Sequence, residues 1–229
     1  MSSSLSPSTS KPTIFIVGFG RNIGSGVARK FKKEGFNVAV ASRTVEQMDV
    51  LSDGYLAVKM DVGKVADIER GFEEMEQVYG PAAVVIYNVA HATFAPAGPS
   101  NPLSISFQNF YANVALSGVH AFEVARLANA GFDRLPENTP RLFIATGNVL
   151  SSMTDRVLIT GMNRFYYASE VSPQGGPQNP PDADTHGLVF HRLYQQRVQG
   201  HWEVRFVRGG APWQPRPKPC SLGIILNPA

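Results

Sequence analysis

The stretch Val17–Gly26, VGFGRNIGSG, lies between a short apolar run and an amphipathic segment. The run before it, TIFIV (13–17), is rich in β-branched residues and does not alternate, which is typical of a parallel strand buried on both faces. After it, Val27 and Phe31 recur at helical spacing, and NVAVA (37–41) has the composition of a second strand. This order predicts a βαβ unit with a glycine-rich turn after its first strand.

Strands and helices continue to alternate along the chain. We expect a helix from about Val45, a strand over YLAVKM (55–60), a helix that places Val65, Ile68, Phe72 and Met75 on one face, and a strand over AAVVIY (82–87). A long helix is expected from about Ile105 to Ala130, with Phe110, Val114, Ala121 and Ala125 on or near one stripe. The remaining elements predicted are strands over 141–146, 164–168 and 202–207 and a helix over 186–198.

This alternation predicts an α/β protein with a three-layer, doubly wound parallel sheet, the Rossmann fold, joined by right-handed crossovers. We expect a single domain over residues 13–208, a disordered N-terminus over 1–12, and an irregular proline-rich tail over 209–229, much of it unpaired with the core.

Composition excludes several classes of protein. The net charge of +3 comes from scattered Lys and Arg without a basic block, so nucleic acid is not expected as a partner. Cys220 is the only cysteine, which excludes an intrachain disulfide and favours a reducing, cytoplasmic location. No stretch is apolar enough to span a bilayer, and the histidines show no metal-ligand spacing, so neither a membrane nor a metal is expected.

The glycines of the 17–26 turn suit a nucleotide. A pyrophosphate must lie against backbone N–H groups at the positive end of a helix, and residues without a Cβ allow that approach. The alternative is a turn whose glycines only let the helix pack on the strand. The βαβ context favours nucleotide binding.

The turn also resembles the fingerprint Thr-Gly-x-x-x-Gly-x-Gly of the short-chain dehydrogenase/reductase family. Val17 stands for the Thr, Gly18 for the first Gly, Asn22 for the second and Gly24 for the third. We expect Asn22 to keep the shape of the turn, because Asn is the best substitute for glycine where φ is positive.

Three weaker markers follow in the order of that family. Asp61-Val62 is similar to its Asp that meets the adenine, Asn88-Val89-Ala90 to its Asn-Asn-Ala-Gly, and Asn113-Val114 to an Asn-Val whose Asn is in the catalytic set. The resemblance therefore implies a cofactor-binding set of Gly18, Gly20, Arg21, Asn22, Ile23, Gly24, Asp61, Val62, Asn88 and Ala90. Each marker has an alternative: Asp61 could cap the next helix, Asn88 could bind neighbouring backbone, and Asn113 could be a polar spot on a helix face.

The end of the second strand decides between NAD and NADP. NAD needs a carboxylate there for the ribose hydroxyls, whereas a 2′-phosphate needs a cation. The strand ends in Ser42-Arg43, and Arg21 in the glycine turn is expected to join them, so the sequence predicts NADP. The alternative is that Arg43 is only solvated.

The catalytic half departs from the family pattern. Thr146 stands where the family's Ser polarises the substrate oxygen, but no Tyr-x-x-x-Lys exists, because no lysine lies between Lys64 and Lys218. Tyr166, Tyr167 and Tyr194 all lack that partner and are expected to pack. Between Thr146 and Arg164 there is room for a short crossover but not for the family's long helix, so the C-terminal part of the fold is expected to be incomplete.

RFYYASEVSPQGG (164–176) and the segments after it resemble an atypical branch of fungal secondary-metabolism reductases. This implies an NADP(H)-dependent oxidoreductase acting on a ketone or secondary alcohol of a small metabolite, with Thr146 and Asn113 as the catalytic residues and His91 or water as the general acid. Two alternatives remain: a catalytically silent nucleotide-binding paralogue acting as a sensor or interaction protein, and a truncated isoform of an active enzyme. A homo-oligomer is compatible with the sequence.

Overall fold

The computed structural model describes residues 11–45, 53–89, 93, 96–97, 104–146, 165–176, 178–196, 198–201 and 203–214. Its strands are β1 (Thr13–Val17), β2 (Asn37–Ser42), β3 (Leu56–Lys59), β4 (Val84–Tyr87), β5 (Leu142–Thr146), β6 (Phe165–Glu170) and β7 (Glu203–Phe206). Its helices are α1 (Ile23–Lys33), α2 (Val65–Tyr79), α3 (Phe107–Val114), a π-helical turn (Ala115–Val119), α4 (His120–Phe132) and α5 (Ala183–Gln195).

The strands form one parallel sheet in the order β3-β2-β1-β4-β5-β6-β7. The predicted Rossmann fold is therefore confirmed. Strand order reverses between β1 and β4, and in sheets of this kind the crevice at the carboxyl ends of the strands, beside that reversal, is where ligands bind. The turn after β1 lies at this crevice.

Two apolar layers bury the sheet. On one face Phe15, Val85 and Phe143 pack against α2 and α4, and on the other Ile14, Ile16 and Ile144 pack against α1 and α5. All six side chains are fully buried, which explains why the strands read as continuous apolar runs rather than as alternating ones.

The crossover through α5 differs in hand from the others. The chain moves from β1 to β2 through α1, and in the opposite direction across the sheet from β6 to β7 through α5, yet both helices pack on the same face. The crossovers through α2 and α4 run in the direction of the α5 crossover but lie on the other face. Among the crossovers whose helices the structure describes, the α5 crossover is therefore the exception to the right-handed rule.

The predicted long helix is interrupted. A π-helical turn separates α3 from α4, and the backbone N–H of His120 bonds to the carbonyl of Ala115. Because each inserted residue turns a helix face by about 100°, one stripe cannot continue through this turn. The prediction of a shared stripe is accordingly wrong: Phe110 and Val114 are exposed, whereas Ala121 and Ala125 are buried.

Smaller differences concern element ends. The helix predicted over 186–198 spans Ala183–Gln195, because Asp182 caps it by accepting a hydrogen bond from the N–H of Thr185. Val65, expected on the buried face of α2, is 45% exposed, since it is the first residue of the helix.

Both ends of the described chain contact the sheet. The carbonyl of Pro12 accepts from the N–H of Asn37 at 3.0 Å, so order begins within the segment expected to be disordered. At the other end, the N–H of Trp213 donates to the carbonyl of Arg205 at 2.9 Å, and Pro212 pairs with Phe206. Residues 209–214, the first part of the predicted tail, therefore pair with the core. Three predictions fall on residues that the structure does not describe: the ends of the chain at 1–10 and 215–229, the helix expected from Val45 except for Val45 itself, and the short crossover expected between Thr146 and Arg164.

Candidate functional site

The glycine turn is fixed to β2 and β4. The N–H groups of Gly18 and Phe19 both donate to the carbonyl of Ala41, at 2.9 and 2.8 Å. Gly18 has φ +85°, and a Cβ there would lie 2.6 Å from the carbonyl oxygen of Asn88. Only glycine satisfies both requirements, so the architecture of the sheet explains this residue without any ligand.

Gly24 and Gly26 are also explained by packing. A Cβ on Gly24 would lie 3.2 Å from the Cα of Phe19, and one on Gly26 would lie 2.2 Å from the carbonyl oxygen of Ala183. Gly20 differs, because a Cβ there would have no described neighbour within 4 Å. Within the described part of the chain, the turn is therefore open at Gly20, and no protein group there requires a glycine.

The backbone amides of this turn lack intramolecular acceptors. Among the described residues, no hydrogen bond is made by the N–H groups of Gly20, Arg21, Asn22, Ile23 and Gly24, whereas the next amide, of Ser25, bonds to the carbonyl of Gly20 at 3.0 Å. Unbonded amides at the positive end of a helix are the donors that a diphosphate accepts from. The geometry of the turn is thus suited to an anionic group.

Asn22 holds the turn in another way than expected. Its φ is −98°, and no described non-glycine residue has a positive φ, so the prediction of a left-handed Asn22 is wrong. Its side-chain amide instead donates to the carbonyl of Pro181 at 3.2 Å. A distant segment therefore contributes to the conformation of the turn.

Asn88 connects the glycine turn to the predicted catalytic threonine. Its side-chain N–H donates to the carbonyl of Gly18 at 3.0 Å, and its side-chain oxygen accepts from the hydroxyl of Thr146 at 3.0 Å. The Thr146 hydroxyl also lies 3.3 Å from the carbonyl of Tyr87. The alternative stated for Asn88, that its side chain binds neighbouring backbone, is therefore observed. In this state the Thr146 proton is directed at the protein.

Asn113 binds a backbone segment with both side-chain atoms. Its oxygen accepts from the N–H of Thr93 at 3.0 Å, and its nitrogen donates to the carbonyl of Thr93 at 3.1 Å. Asn113 therefore has a positioning contact rather than a free side chain.

The π-helical turn follows two residues after Asn113. The buried hydroxyl of Tyr87 donates to the carbonyl of Leu116 in that turn. Burial raises the pKa of Tyr87, so this hydroxyl stays protonated.

The end of β2 carries a hydroxyl without a partner. Among the described residues the Ser42 Oγ is buried and makes no hydrogen bond. Arg21 and Arg43 are exposed, and no described side chain pairs with either guanidinium. An unsatisfied donor and two unpaired cations suit a phosphate dianion.

Asp61 and Val62 make local contacts. The Asp61 carboxylate accepts from the N–H of Gly63 at 3.0 Å, and its own N–H donates to the Asp67 carboxylate at 3.1 Å. The latter bond is the main cause of the lowered pKa of Asp67. The Val62 side chain lies in the core, so only its backbone can meet a ligand.

Tyr166, Tyr167 and Tyr194 are engaged in hydrogen bonds or packing. Tyr166 is 1% exposed, and its hydroxyl bonds to the side chain of Gln196 at 2.9 Å and accepts from the N–H of Gly200. Tyr167 is buried in the core, and Tyr194 packs on Phe36 with ring centroids 5.1 Å apart. Predicted residues Ala90 and His91 lie outside the described part of the chain.

The described residues contain no cluster of three metal-ligating side chains, and none of their helices is long and apolar enough to cross a membrane.

Sequence reasoning missed Glu170, a buried carboxylate at the carboxyl end of β6. Its side chain is 1% exposed, accepts from the N–H of Asp182 at 2.6 Å and lies 3.6 Å from the guanidinium of Arg208. The available signal was an acidic residue closing a buried strand, because a buried charge needs partners.

Comparisons with known proteins place the chain in a family. The family model for short chain dehydrogenases matches residues 12–131, just over half of the chain. The chain is also 25% identical to the short chain dehydrogenase/reductase dmxR12 of Cryptosporiopsis sp., over 87% of this chain and 93% of that protein. A hydroxynaphthalene reductase-like protein Arp2 of Metarhizium acridum is 32% identical, over 35% of this chain and 33% of its own length. The chain belongs to the short-chain dehydrogenase/reductase family and resembles fungal secondary-metabolism reductases.

Solved structures share the fold. An alcohol dehydrogenase from Thermococcus sibiricus, complexed with 5-hydroxy-NADP, superposes with a TM-score of 0.69 and 16% identity, covering 86% of this chain and 96% of that one. A metagenomic short-chain oxidoreductase in complex with NADP gives a TM-score of 0.67 and 16% identity, covering 86% of this chain and 96% of that one.

Proposed function

We propose that the chain binds NADP(H) and acts as an oxidoreductase on a ketone or secondary alcohol of a small metabolite, as a tailoring step in secondary metabolism. The supporting observation is the open turn at Gly20, with the unbonded amides of residues 20–24 beside it. Packing accounts for Gly18, Gly24 and Gly26, so Gly20 is the position that favours a ligand. Family membership supplies the class of ligand.

The residues present fit the phosphorylated dinucleotide. The amides of residues 20–24 would hold the diphosphate, and Ser42 with Arg43 and Arg21 would hold the 2′-phosphate. The buried, unpartnered hydroxyl of Ser42 is the observation that fits a phosphate oxygen. When bound, NADPH supplies a hydride to the carbonyl carbon.

Thr146 would then orient the substrate oxygen. Its hydroxyl must turn its proton from Asn88 toward that oxygen, while Asn88 retains its bond to Gly18. Asn113 would hold the backbone at Thr93 in place at the rim of the crevice. The proton for the product alkoxide would come from water or from His91. Since no Tyr and Lys pair supplies it, turnover is expected to lack an acid–base contribution of about 10²- to 10⁴-fold.

A catalytically silent nucleotide-binding protein is the second candidate. Its supporting observation is that the Thr146 proton is already donated to the protein and that Tyr166, Tyr167 and Tyr194 are all engaged in packing or hydrogen bonds. Such a protein would bind NADPH and would oxidise none of it with any carbonyl compound.

Binding of NADPH and NADH, measured by fluorescence titration, tests the proposal. We expect tighter binding of NADPH. Arg43→Ala should weaken NADPH about 10-fold, as for loss of a charge-assisted hydrogen bond, and leave NADH unchanged. Arg126→Ala, which removes an exposed guanidinium from α4, is the matched control. A preference for NADH would contradict the NADP assignment, and binding of neither nucleotide would contradict both candidate functions.

A further inference from the structure

We infer that Asn22 is a positioning residue, which holds the glycine turn in its diphosphate-binding conformation through the carbonyl of Pro181. This inference rests on the proposed nucleotide function. The contact joins residues 159 positions apart in the chain, between the turn after β1 and the segment that leads into α5. It uses the side chain at the position where the family fingerprint has a glycine.

The segment that receives Asn22, residues 180–182, is fixed from two other directions. The buried Glu170 carboxylate accepts from the N–H of Asp182 at 2.6 Å, and the guanidinium of Arg208 donates to the carbonyl of Pro180 at 3.0 Å. These anchors come from the end of β6 and from the residues after β7. The Pro181 carbonyl is therefore a fixed acceptor for Asn22 and not a mobile loop group.

Packing behind the turn reinforces the contact. A Cβ on Gly26 would collide with Ala183, and a Cβ on Gly187 would lie 2.8 Å from the carbonyl oxygen of Gly26, so α1 and α5 approach as closely as backbones can. At the exposed end of this contact the Arg29 guanidinium lies 2.9 Å from the Asp184 carboxylate. The first turns of the two helices thus form one unit, and Asn22 extends it to the turn.

The contact matters because the amide side of the turn is otherwise unbonded. The carbonyls of Gly20 and Asn22 accept from the N–H groups of Ser25 and Gly26, but the amides of residues 20–24 make no hydrogen bond within the described chain, and Gly20 contributes no side chain. Without the Asn22 bond, a larger fraction of molecules would hold the turn in other conformations. The apparent affinity for a diphosphate falls with the competent fraction.

The experiment compares two ligands on Asn22→Ala. NADP+ carries both the diphosphate and the 2′-phosphate, whereas adenosine 2′-monophosphate carries only the latter. We expect the Kd of NADP+ to rise about 3- to 10-fold, as for loss of one hydrogen bond, while the Kd of adenosine 2′-monophosphate, which Ser42 and Arg43 outside the turn would still hold, rises by a smaller factor. Isothermal titration calorimetry measures both. Asn37→Ala is the matched control, because Asn37 donates to the carbonyl of Lys11 at the amino edge of the sheet.

A second variant, Asn22→Gly, separates this role from the family fingerprint. It restores the glycine of that pattern, yet we expect it to bind NADP+ more weakly than the wild type. Unchanged or tighter NADP+ binding by both variants would overturn the inference, as would equal weakening of both ligands, which indicates a general structural defect. If the wild type binds neither ligand, the proposed function fails and the inference falls with it.

Discussion

Asn88 links the glycine turn to Thr146. The N–H of its side-chain amide donates to the carbonyl of Gly18, and its side-chain oxygen accepts from the hydroxyl of Thr146. When the Thr146 hydroxyl turns toward a substrate, Asn88 would lose the second bond and keep the first.

Substitution of Thr146 separates the two halves of the site. In Thr146→Val the hydroxyl is lost at nearly constant volume, and we expect NADPH-dependent reduction of the preferred carbonyl compound to fall about 10²-fold, the effect of removing one oxyanion donor. The Kd of NADPH should change less than about 2-fold, because the Asn88 bond to Gly18 remains. Thr146→Ser, which keeps the hydroxyl, is the control. Full activity of Thr146→Val, measured by loss of NADPH absorbance, would exclude the orienting role.

Some site residues could be predicted from the sequence and others could not. Gly18, Asn88 and Thr146 follow strands directly, so the carboxyl edge of a parallel sheet brings them together. The bond from Asp182 to Glu170 and the contact of Asn22 with Pro181 could not be predicted, because they depend on where α5 begins in space. The positive φ predicted for Asn22 was wrong for the same reason. Asn22 has a negative φ, and its side chain bonds to a distant carbonyl.

At the level of elements, Gly26 lies in the contact between α1 and α5, whereas Gly20 lies outside it. Gly26→Ala would place a methyl group 2.2 Å from the Ala183 carbonyl oxygen, so the helices must part, and we expect a loss of about 1–3 kcal/mol in the free energy of unfolding. Gly20→Ala meets no neighbour and should change that free energy by less than about 0.5 kcal/mol.

The same two variants should rank oppositely in ligand binding. At a temperature where both variants are fully folded, Gly20→Ala puts its methyl group where the diphosphate is proposed to lie. NADPH binding should therefore weaken more in Gly20→Ala than in Gly26→Ala. Urea unfolding and NADPH titration give the two rankings. Equal stability of the two variants would contradict the close packing of α1 on α5.

The periodicity of the sequence did not predict that α3 ends in a π-helical turn. The heptad-like spacing from Phe110 to Ala125 assumes 3.6 residues per turn throughout, and the π-helical turn breaks that assumption in the middle. Its position is held by a tertiary bond from the Tyr87 hydroxyl to Leu116, which no local pattern reveals.

For the whole molecule, the parallel sheet could be predicted, but the hand of one crossover could not. Strands that alternate with helices run parallel, because each crossover returns the chain to the same end of the sheet. The α5 crossover places its helix on the face that α1 already covers, where Gly26 lets the two helices approach closely, and no local pattern in the sequence encodes that choice of face.

Global stability should fall as the pH falls from about 8 to about 5.5. Burial lowers the pKa values of His186 and His191 and is the main cause of both shifts. The carboxylates of Glu170, near His186, and of Glu34, near His191, act to raise these pKa values. Below the unfolded pKa of about 6.5, the unfolded chain therefore binds more protons than the folded one. Each group contributes at most about 1.4 kcal/mol per pH unit.

Urea midpoints across this range measure the effect. His186→Gln should flatten the dependence, whereas His201→Gln, which removes an exposed imidazole, should not. A midpoint that rises on acidification in the wild type would contradict the burial of these rings.

Gly26 gives the glycine pattern a second reason to persist. A descendant that no longer bound a cofactor would still tolerate no methyl group at Gly26, because that group would displace α5. Part of the glycine-rich stretch 17–26 is thus required by helix packing, and a loss of nucleotide binding in evolution would appear first at Gly20, where no described neighbour opposes a methyl group.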